Sequence, residues 1–393
     1  MFITNLFRVK NNTERIYGLD ILRAVAILFV LNVHSALFFN KNSLTYRLLT
    51  ALNLDGVTLF FVLSGFLIGG ILIRKPLNSP NITFNTLLSF WLRRWFRTLP
   101  AYFLVLIVLL ILGFCTKQLL PETSVKGYFF FVANFNKPMP NYLFPESWSL
   151  AIEEWFYILV PAAIFISITA FKINVRYTIL ILAGTVILSV TAFRYYRFTC
   201  WPAHLMNGEV IDLFFRKQVT TRLDCIMYGV IGSYIAYYHA DTWKRYPNAL
   251  FIIGICLLYL HYVQYIFGYF GLLYSCVFAY SIPPLGVLCL LPRLTLIKTG
   301  KGMLYKSITL ISIISYSLYL LNYSLIRTYL IEDFLNPYLS HFLTARALKI
   351  TDYLVFWIFV VAGGILLSKY FEQPMTQLRD RITPLRKTPI VKK

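Results

Sequence analysis

The sequence predicts an all-α fold: a polytopic transmembrane helical bundle of about ten spans with both termini cytoplasmic. Three observations carry that prediction. Apolar residues make up 58% of the chain and charged residues 13%, whereas soluble domains average about 45–50% and about 25%. Too few polar side chains remain to coat a soluble surface. The apolar residues are gathered into runs near the roughly 20 residues that cross a bilayer as a helix. Lys and Arg concentrate in alternate connections between those runs, on the side of the N-terminus, as the positive-inside rule requires. That placement accounts for the net charge of +21 and argues against nucleic acid as a partner.

In order, the runs lie at 19–39, 54–73, 98–115, 150–170, 177–193, 222–239, 249–266, 269–291, 309–330 and 351–371. The segment MFITNLFRVKNNTERIYG has no short apolar core with a cleavage site, so the first span reads as its own targeting signal. That span, LDILRAVAILFVLNVHSALFF, carries Arg23 and His34. Their spacing is three helical turns plus roughly 20°, which sets both on one face about 16 Å apart along the axis. Ionisable groups inside a span are costly and usually functional. The plainer alternatives are that Arg23, near the helix end, snorkels to the headgroups, and that His34 bonds a neighbouring carbonyl.

Just before the third run stands FWLRRWFRTLP. Arg94 and Arg97 share a helix face, and with Arg93 and Arg23 at the same level they form a cationic mouth suited to phosphates. Ordinary positive-inside topology explains the same charges without a ligand. The fourth run opens on PESWSLAIEEWFY, which sets Glu153 and Glu154 about a turn below the outer surface. The sixth opens on TRLDCIMYG, with Arg222 and Asp224 at the outer edge, and Asn322 falls in the outer half of the ninth. His34, Glu153, Glu154, Asp224 and Asn322 are therefore expected to form one outer cluster. The outer loop 194–222 has an excess of positive charge in Arg194, Arg197, Arg216, Lys217 and Arg222. It reads either as a surface for an anionic substrate or lipid headgroup, or as tolerated charge in a long loop. The seventh and eighth runs nearly touch, which leaves a re-entrant pair open. The six cysteines show neither CxxC nor metal-ligand spacing, so no metal is expected. A phosphate-binding mouth and an outer His/Glu site on one helix suggest group transfer from a cytoplasmic donor to an acceptor outside.

Seven segments, in order, resemble the acyltransferase-3 family of integral membrane acyltransferases, which includes many bacterial O-antigen (lipopolysaccharide) and exopolysaccharide O-acetyltransferases. Arg23-x10-His34 fits the family's Arg-x10-His signature, and DGVTLFFVLSGFLI at 55–68 resembles its glycine-rich second span. Arg94-Trp95-Phe96-Arg97, with Pro100 and Tyr102, is similar to its RxxR segment, and WSLAIEEWFY at 148–157 to its WSLxxExxFY block. TRLD at 221–224, ISYSLYLLN at 314–322 and YFEQP at 370–374 complete the series. Any one of these is weak; together and in order they are specific.

The resemblance implies one acyltransferase-3-like transmembrane domain over residues 1–375, a basic cytoplasmic tail over 376–393, and a multi-pass protein of the bacterial inner membrane. It implies an O-acyltransferase moving an acyl group, foremost acetyl, from cytoplasmic acyl-CoA to a hydroxyl of a cell-surface saccharide or its lipid-linked precursor. Acetyl-CoA is then the donor substrate, its phosphates meeting Arg23, Arg94 and Arg97 with Arg93 beside them. His34 becomes the catalytic group, as general base or as a transiently acylated nucleophile. Glu153 is the first choice to orient it and Glu154 the second. Trp148, Ser149, Arg222, Asp224 and Asn322 are assigned to the acceptor side. Many relatives have His where this chain has Asn322; Asn hydrogen-bonds but does not shuttle protons, so His34 carries more of the chemistry. The extracytoplasmic hydrolase-like domain fused to some relatives does not follow the last span, so such a partner, where needed, is expected as a separate protein. Donor and acceptor specificity is expected in 74–97, 116–149 and 194–221. The competing reading is a transporter or exporter of a small molecule or acylated lipid. Broken midplane helices would mark it, and the Pro283-Pro284 break is the one hint of that kind.

Overall fold

The computed structural model describes residues 15–51, 54–78, 83–117, 125–140 and 143–382. Parts of the segments 74–97 and 116–149, and the tail beyond residue 382, lie outside them. Among the described residues there is no strand, and eight helices are long and apolar enough to cross a membrane. A ninth span results if Gly271–Tyr280 and Ile282–Leu296, bent by 41°, are counted as one broken helix. The chain is thus an integral membrane protein. Its long helices are α1 (Tyr17–Ala36), α2 (Gly56–Asn78), α3 (Phe84–Cys115), α4 (Trp148–Thr169), α5 (Val175–Cys200), α6 (Asp224–Tyr238), α7 (Pro247–Phe267), α8 (Ile282–Leu296), α9 (Gly302–Leu321) and α10 (Ala345–Leu367).

Each expected run coincides with one of these helices, but several boundaries move for identifiable reasons. α3 begins at Phe84 rather than 98, because Thr83 and Thr86 cap one another's backbone at its start. Arg93, Arg94 and Arg97 are therefore helical residues on the bundle wall, not residues of a connection. α5 continues to Cys200, so Arg194 and Arg197 of the expected outer loop belong to a helix. α6 has only 15 residues, too few for a full crossing at about 1.5 Å per residue, and much of it is buried. Pro283 and Pro284 fall in the first turn of α8, where a missing N–H costs no helical bond. After Leu321 the backbone widens into a π-helix, Asn322–Leu335.

α2 is the most enclosed span, with 67% of its apolar window buried, and α7 the least, with 17%. α1, α2 and α9 accordingly form the centre, while α7 turns most of its side chains outward. The α2–α6 crossing depends on glycine. A Cβ on Gly65 would stand 1.9 Å from the carbonyl oxygen of Ile226, and one on Gly229 2.0 Å from that of Val62. The two backbones touch directly, a contact that small residues permit between membrane helices.

Candidate active site

A cavity of about 490 Å³ opens between α1, α2, α3, α4, α6 and α9. Arg23, Arg74, Arg94 and Arg97 line the end nearest the N-terminus of α1. Asp20 stands 3.8 Å from Arg23, and Ser312 accepts from its Nη1 at 3.5 Å. Asp20 is shared, since it also accepts from Arg15 Nε at 3.1 Å and Ser312 Oγ at 2.7 Å. Arg94 lies over the Tyr157 ring, 4.2 Å from its centroid, and donates to the Tyr157 hydroxyl. Arg97 is exposed at the mouth and makes no hydrogen bond to another described residue. Arg93 does not line the cavity. Arg74 does, although no motif marks it; its signal in the sequence is only its place at the end of the second run, on the same side as Arg23. Four guanidinium groups line this end, with Asp20 near Arg23, Glu153 and Glu154 near Arg94 and Glu372 near Arg97; the planar donors they present suit phosphate.

The two adjacent glutamates diverge, as successive helix positions about 100° apart must. Glu153 lines the cavity, accepting from Ser64 Oγ at 2.9 Å and from the Tyr157 hydroxyl at 3.0 Å. Arg94, Tyr157, Glu153 and Ser64 thus form one polar chain across α3, α4 and α2. Glu154 is buried against α3, where Oε1 accepts from Thr98 at 3.0 Å; Oε2 has no hydrogen-bond partner among the described residues.

Neither glutamate bonds His34. The bonded partner of His34 is Asn322, where the sequence favoured Glu153; the Glu153 carboxylate points into the cavity instead, toward Ser64 and Tyr157. His34 Nδ1 bonds Asn322 Oδ1, and the ring stands edge-on to Tyr323 with centroids 4.8 Å apart. Asn322 is buried, and its Nδ2 donates to the carbonyls of Tyr319 at 2.6 Å and Leu318 at 3.3 Å. With both amide hydrogens committed to carbonyls, Oδ1 must be the atom that faces the imidazole. A carbonyl oxygen only accepts, so Nδ1 carries the hydrogen and Nε2 keeps its lone pair. Among the described residues Nε2 has no hydrogen-bond partner.

His34 is not in the cavity wall; Ser149 and Tyr319 close the end nearest to it. Their side-chain oxygens are 2.7 Å apart, and the Tyr319 hydroxyl donates to the Glu146 carbonyl at 2.9 Å. Because that proton goes to a carbonyl, Ser149 is the donor in the Ser149–Tyr319 bond. Asn322 lies one turn beyond Tyr319, so a single helical turn separates the cavity from the imidazole.

The remaining residues of the expected acceptor side serve the frame. Trp148 is buried, edge-on to Phe61 at 6.1 Å, with the Arg216 guanidinium 5.0 Å from its ring centroid. Arg222 is fully buried and donates to Thr58 at 2.8 Å and Asp55 at 3.3 Å, tying the start of α6 to the start of α2. Asp224 pairs with buried Arg194 at 2.7 and 3.1 Å, tying α6 to α5. Arg216 and Lys217 both pair with Asp212, the lysine at 2.6 Å. Burial alone would raise the Asp212 carboxyl, but these two cations outweigh it and hold the group below the usual carboxylate range. Arg197 donates to Gln218 and Asn136, each at 2.6 Å. The positive charge of the 194–222 segment is thus committed to internal partners, which favours the second of its two readings.

These features define an integral membrane protein with an arginine-lined cavity between its helices. Residues 16–375 match the family described as the acyltransferase domain, acyltransferase-3, and the chain belongs to that family. It is 32% identical over 248 residues to "Putative O-acetyltransferase SACOL0978" of Staphylococcus aureus (strain COL), covering 59% of this chain and 37% of that protein. It is 33% identical over 206 residues to "Putative peptidoglycan O-acetyltransferase YrhL" of Bacillus subtilis (strain 168), covering 47% and 30%. It is 30% identical over 256 residues to "O-acetyltransferase OatA" of Staphylococcus aureus (strain NCTC 8325 / PS 47), covering 61% and 38%. Each match spans well under half of the relative's own length. No solved structure matches the chain.

Proposed function

We propose that this protein is an O-acetyltransferase of the bacterial inner membrane. It takes an acetyl group from acetyl-CoA at the arginine-lined, cytoplasmic mouth and passes it, at His34, to a hydroxyl of a cell-surface saccharide or its lipid-linked precursor. One observation carries this reading: a cavity that begins at four arginines ends one helical turn from an imidazole with a fixed tautomer and a free Nε2. The relatives' names support acetyl as the group moved, and that of the B. subtilis protein favours a peptidoglycan-type saccharide among the acceptors.

The phosphates of CoA bind Arg23, Arg74, Arg94 and Arg97, and its extended arm runs up the cavity past Ser64 and Glu153. Opening of the Ser149–Tyr319 bond lets the thioester reach His34. Nε2 then removes the proton of the acceptor hydroxyl as its oxygen attacks the thioester carbonyl. The carbon–sulfur bond breaks, and the CoA thiolate recovers the proton from Nε2. Asn322 holds Nδ1–H throughout, so the imidazolium forms without a change of ring orientation.

The test compares membranes holding the wild type or His34→Ala at equal levels. They receive acetyl-CoA labelled in its acetyl group together with crude surface polysaccharide. The expected result is label in an alkali-labile ester with the wild type and none with the variant. Equal labelling by His34→Ala would overturn the assignment, and uptake of a small molecule without CoA release would support a transporter instead.

A further inference from the structure

The Glu146 side chain has no part in the site as described so far, yet the residue is bonded to the chain on both sides of Asn322. It is buried, 4% exposed, on the single 3-10 turn Pro145–Ser147 that leads into α4. Oε1 accepts the Ser324 backbone N–H at 3.0 Å, and Oε2 accepts the Ser324 hydroxyl at 2.6 Å. Its own carbonyl accepts the Tyr319 hydroxyl at 2.9 Å. Tyr319 precedes Asn322 by three residues and Ser324 follows it by two, so one residue of a separate element grips both flanks.

The grip coincides with the change from α- to π-helix at Asn322. Such changes are uncommon and concentrate at functional sites, because backbone groups near the change must find other partners. Here a carboxylate takes the Ser324 N–H, and the Asn322 amide takes the carbonyls of Leu318 and Tyr319. The position of Asn322 Oδ1 is thereby set by contacts outside α1, and that oxygen fixes the His34 tautomer.

We infer that Glu146 is a positioning residue: through Ser324 and Tyr319 it holds Asn322 where its amide oxygen keeps His34 oriented, with Nε2 as the free base. It touches neither donor nor acceptor. The inference rests on the proposed role of His34 and adds the group that sets that role from a distance. Glutamate suits the task because two oxygens on one plane meet two donors of one residue. Glutamine keeps one acceptor and offers its amide hydrogens to the Ser324 oxygen, so it preserves the grip; alanine removes both bonds to Ser324 and leaves only the backbone-carbonyl bond to Tyr319.

The experiment measures initial transfer rates against acetyl-CoA concentration for the wild type, Glu146→Ala, Glu146→Gln, Asn322→Ala, the Glu146→Ala/Asn322→Ala double variant and His34→Ala. A second readout is the rate at which diethyl pyrocarbonate modifies His34, followed on the His34 peptide by mass spectrometry. Glu146→Ala is expected to lower kcat by about tenfold or more, the loss of one well-placed hydrogen bond at the base, while KM for acetyl-CoA stays within about twofold. Glu146→Gln should recover most of that loss. The double variant should be no slower than Asn322→Ala alone, since both residues act through one contact. Modification of His34 should accelerate in both Glu146→Ala and Asn322→Ala. Losses that multiply in the double variant, or unchanged His34 reactivity in Glu146→Ala, would overturn the inference. Activity retained by His34→Ala would overturn the proposed function instead, leaving His34 reactivity as the test of Glu146. If Glu146→Ala does not accumulate in the membrane, Ser324→Ala removes one of the two carboxylate bonds and is read by the same criteria.

Discussion

At the scale of single residues, the proposed transfer depends on which imidazole nitrogen is free. Asn322 decides this with an amide whose hydrogens are both spent on Tyr319 and Leu318. Asn322→Leu should therefore lose about tenfold to a hundredfold in kcat, as expected for about 1–3 kcal/mol of hydrogen bonding at a base. Protein level and KM for acetyl-CoA should change little, which steady-state kinetics on equal amounts of protein will show. The arginines should respond the other way: Arg97→Ala or Arg23→Ala raises KM for acetyl-CoA with a smaller effect on kcat, and rising salt weakens donor binding to the wild type more than to either variant. The Arg23–His34 relation was legible in the sequence because helical periodicity within one span fixes which side chains share a face. Asn322 was among the four residues expected to cluster with His34, but which of them bonds the imidazole was not legible. Asn322 is 288 positions away, and its contact depends on the register between α1 and the α9 run, which no local pattern encodes. Glu146 was hidden for the same reason: its donors come from Ser324, and the tripeptide around it reads as a turn.

At the scale of elements, two ion pairs connect α6 to its neighbours: Arg194 with Asp224 toward α5, and Arg222 with Asp55 toward α2. The first is completely buried, with both side chains at 0% exposure. Removing one partner of such a pair leaves a charge without compensation, a loss of roughly 3–5 kcal/mol, whereas replacing both with apolar groups of similar size costs far less. Asp224→Asn should therefore lower the thermal unfolding midpoint in detergent markedly, and Arg194→Met/Asp224→Leu should recover much of the loss. A double variant as unstable as the single would contradict the bracing role. The sequence marked the eight helices that are long and apolar enough to cross a membrane because a run of about 20 apolar residues has few other fates; of the ten expected spans, α6 and α8 have only 15 residues each. Helix ends were harder to read. The start of α3 is mixed in polarity and is fixed by a Thr83–Thr86 cap, and the end of α5 includes arginines that are affordable there only because Asp224, Gln218 and Asn136 meet them.

At the scale of the whole molecule, the arginines line one end of the cavity and His34 lies about one helical turn beyond the other. Arg23 and His34 on α1 mark these two levels, and the α2–α6 backbone contact at Gly65 and Gly229 helps hold the surrounding helices in place. Donor and acceptor need never share a compartment in such an arrangement. Sidedness of the proposed transfer is tested in proteoliposomes of the purified protein sorted into a single orientation. Labelled acetyl-CoA is supplied either on the face bearing Arg74 and Arg97 or on the opposite face, with saccharide acceptor always on the face nearer His34. Ester formation is expected only when acetyl-CoA is on the arginine face, and none with His34→Ala in either arrangement. Equal transfer from acetyl-CoA on both faces would contradict that sidedness.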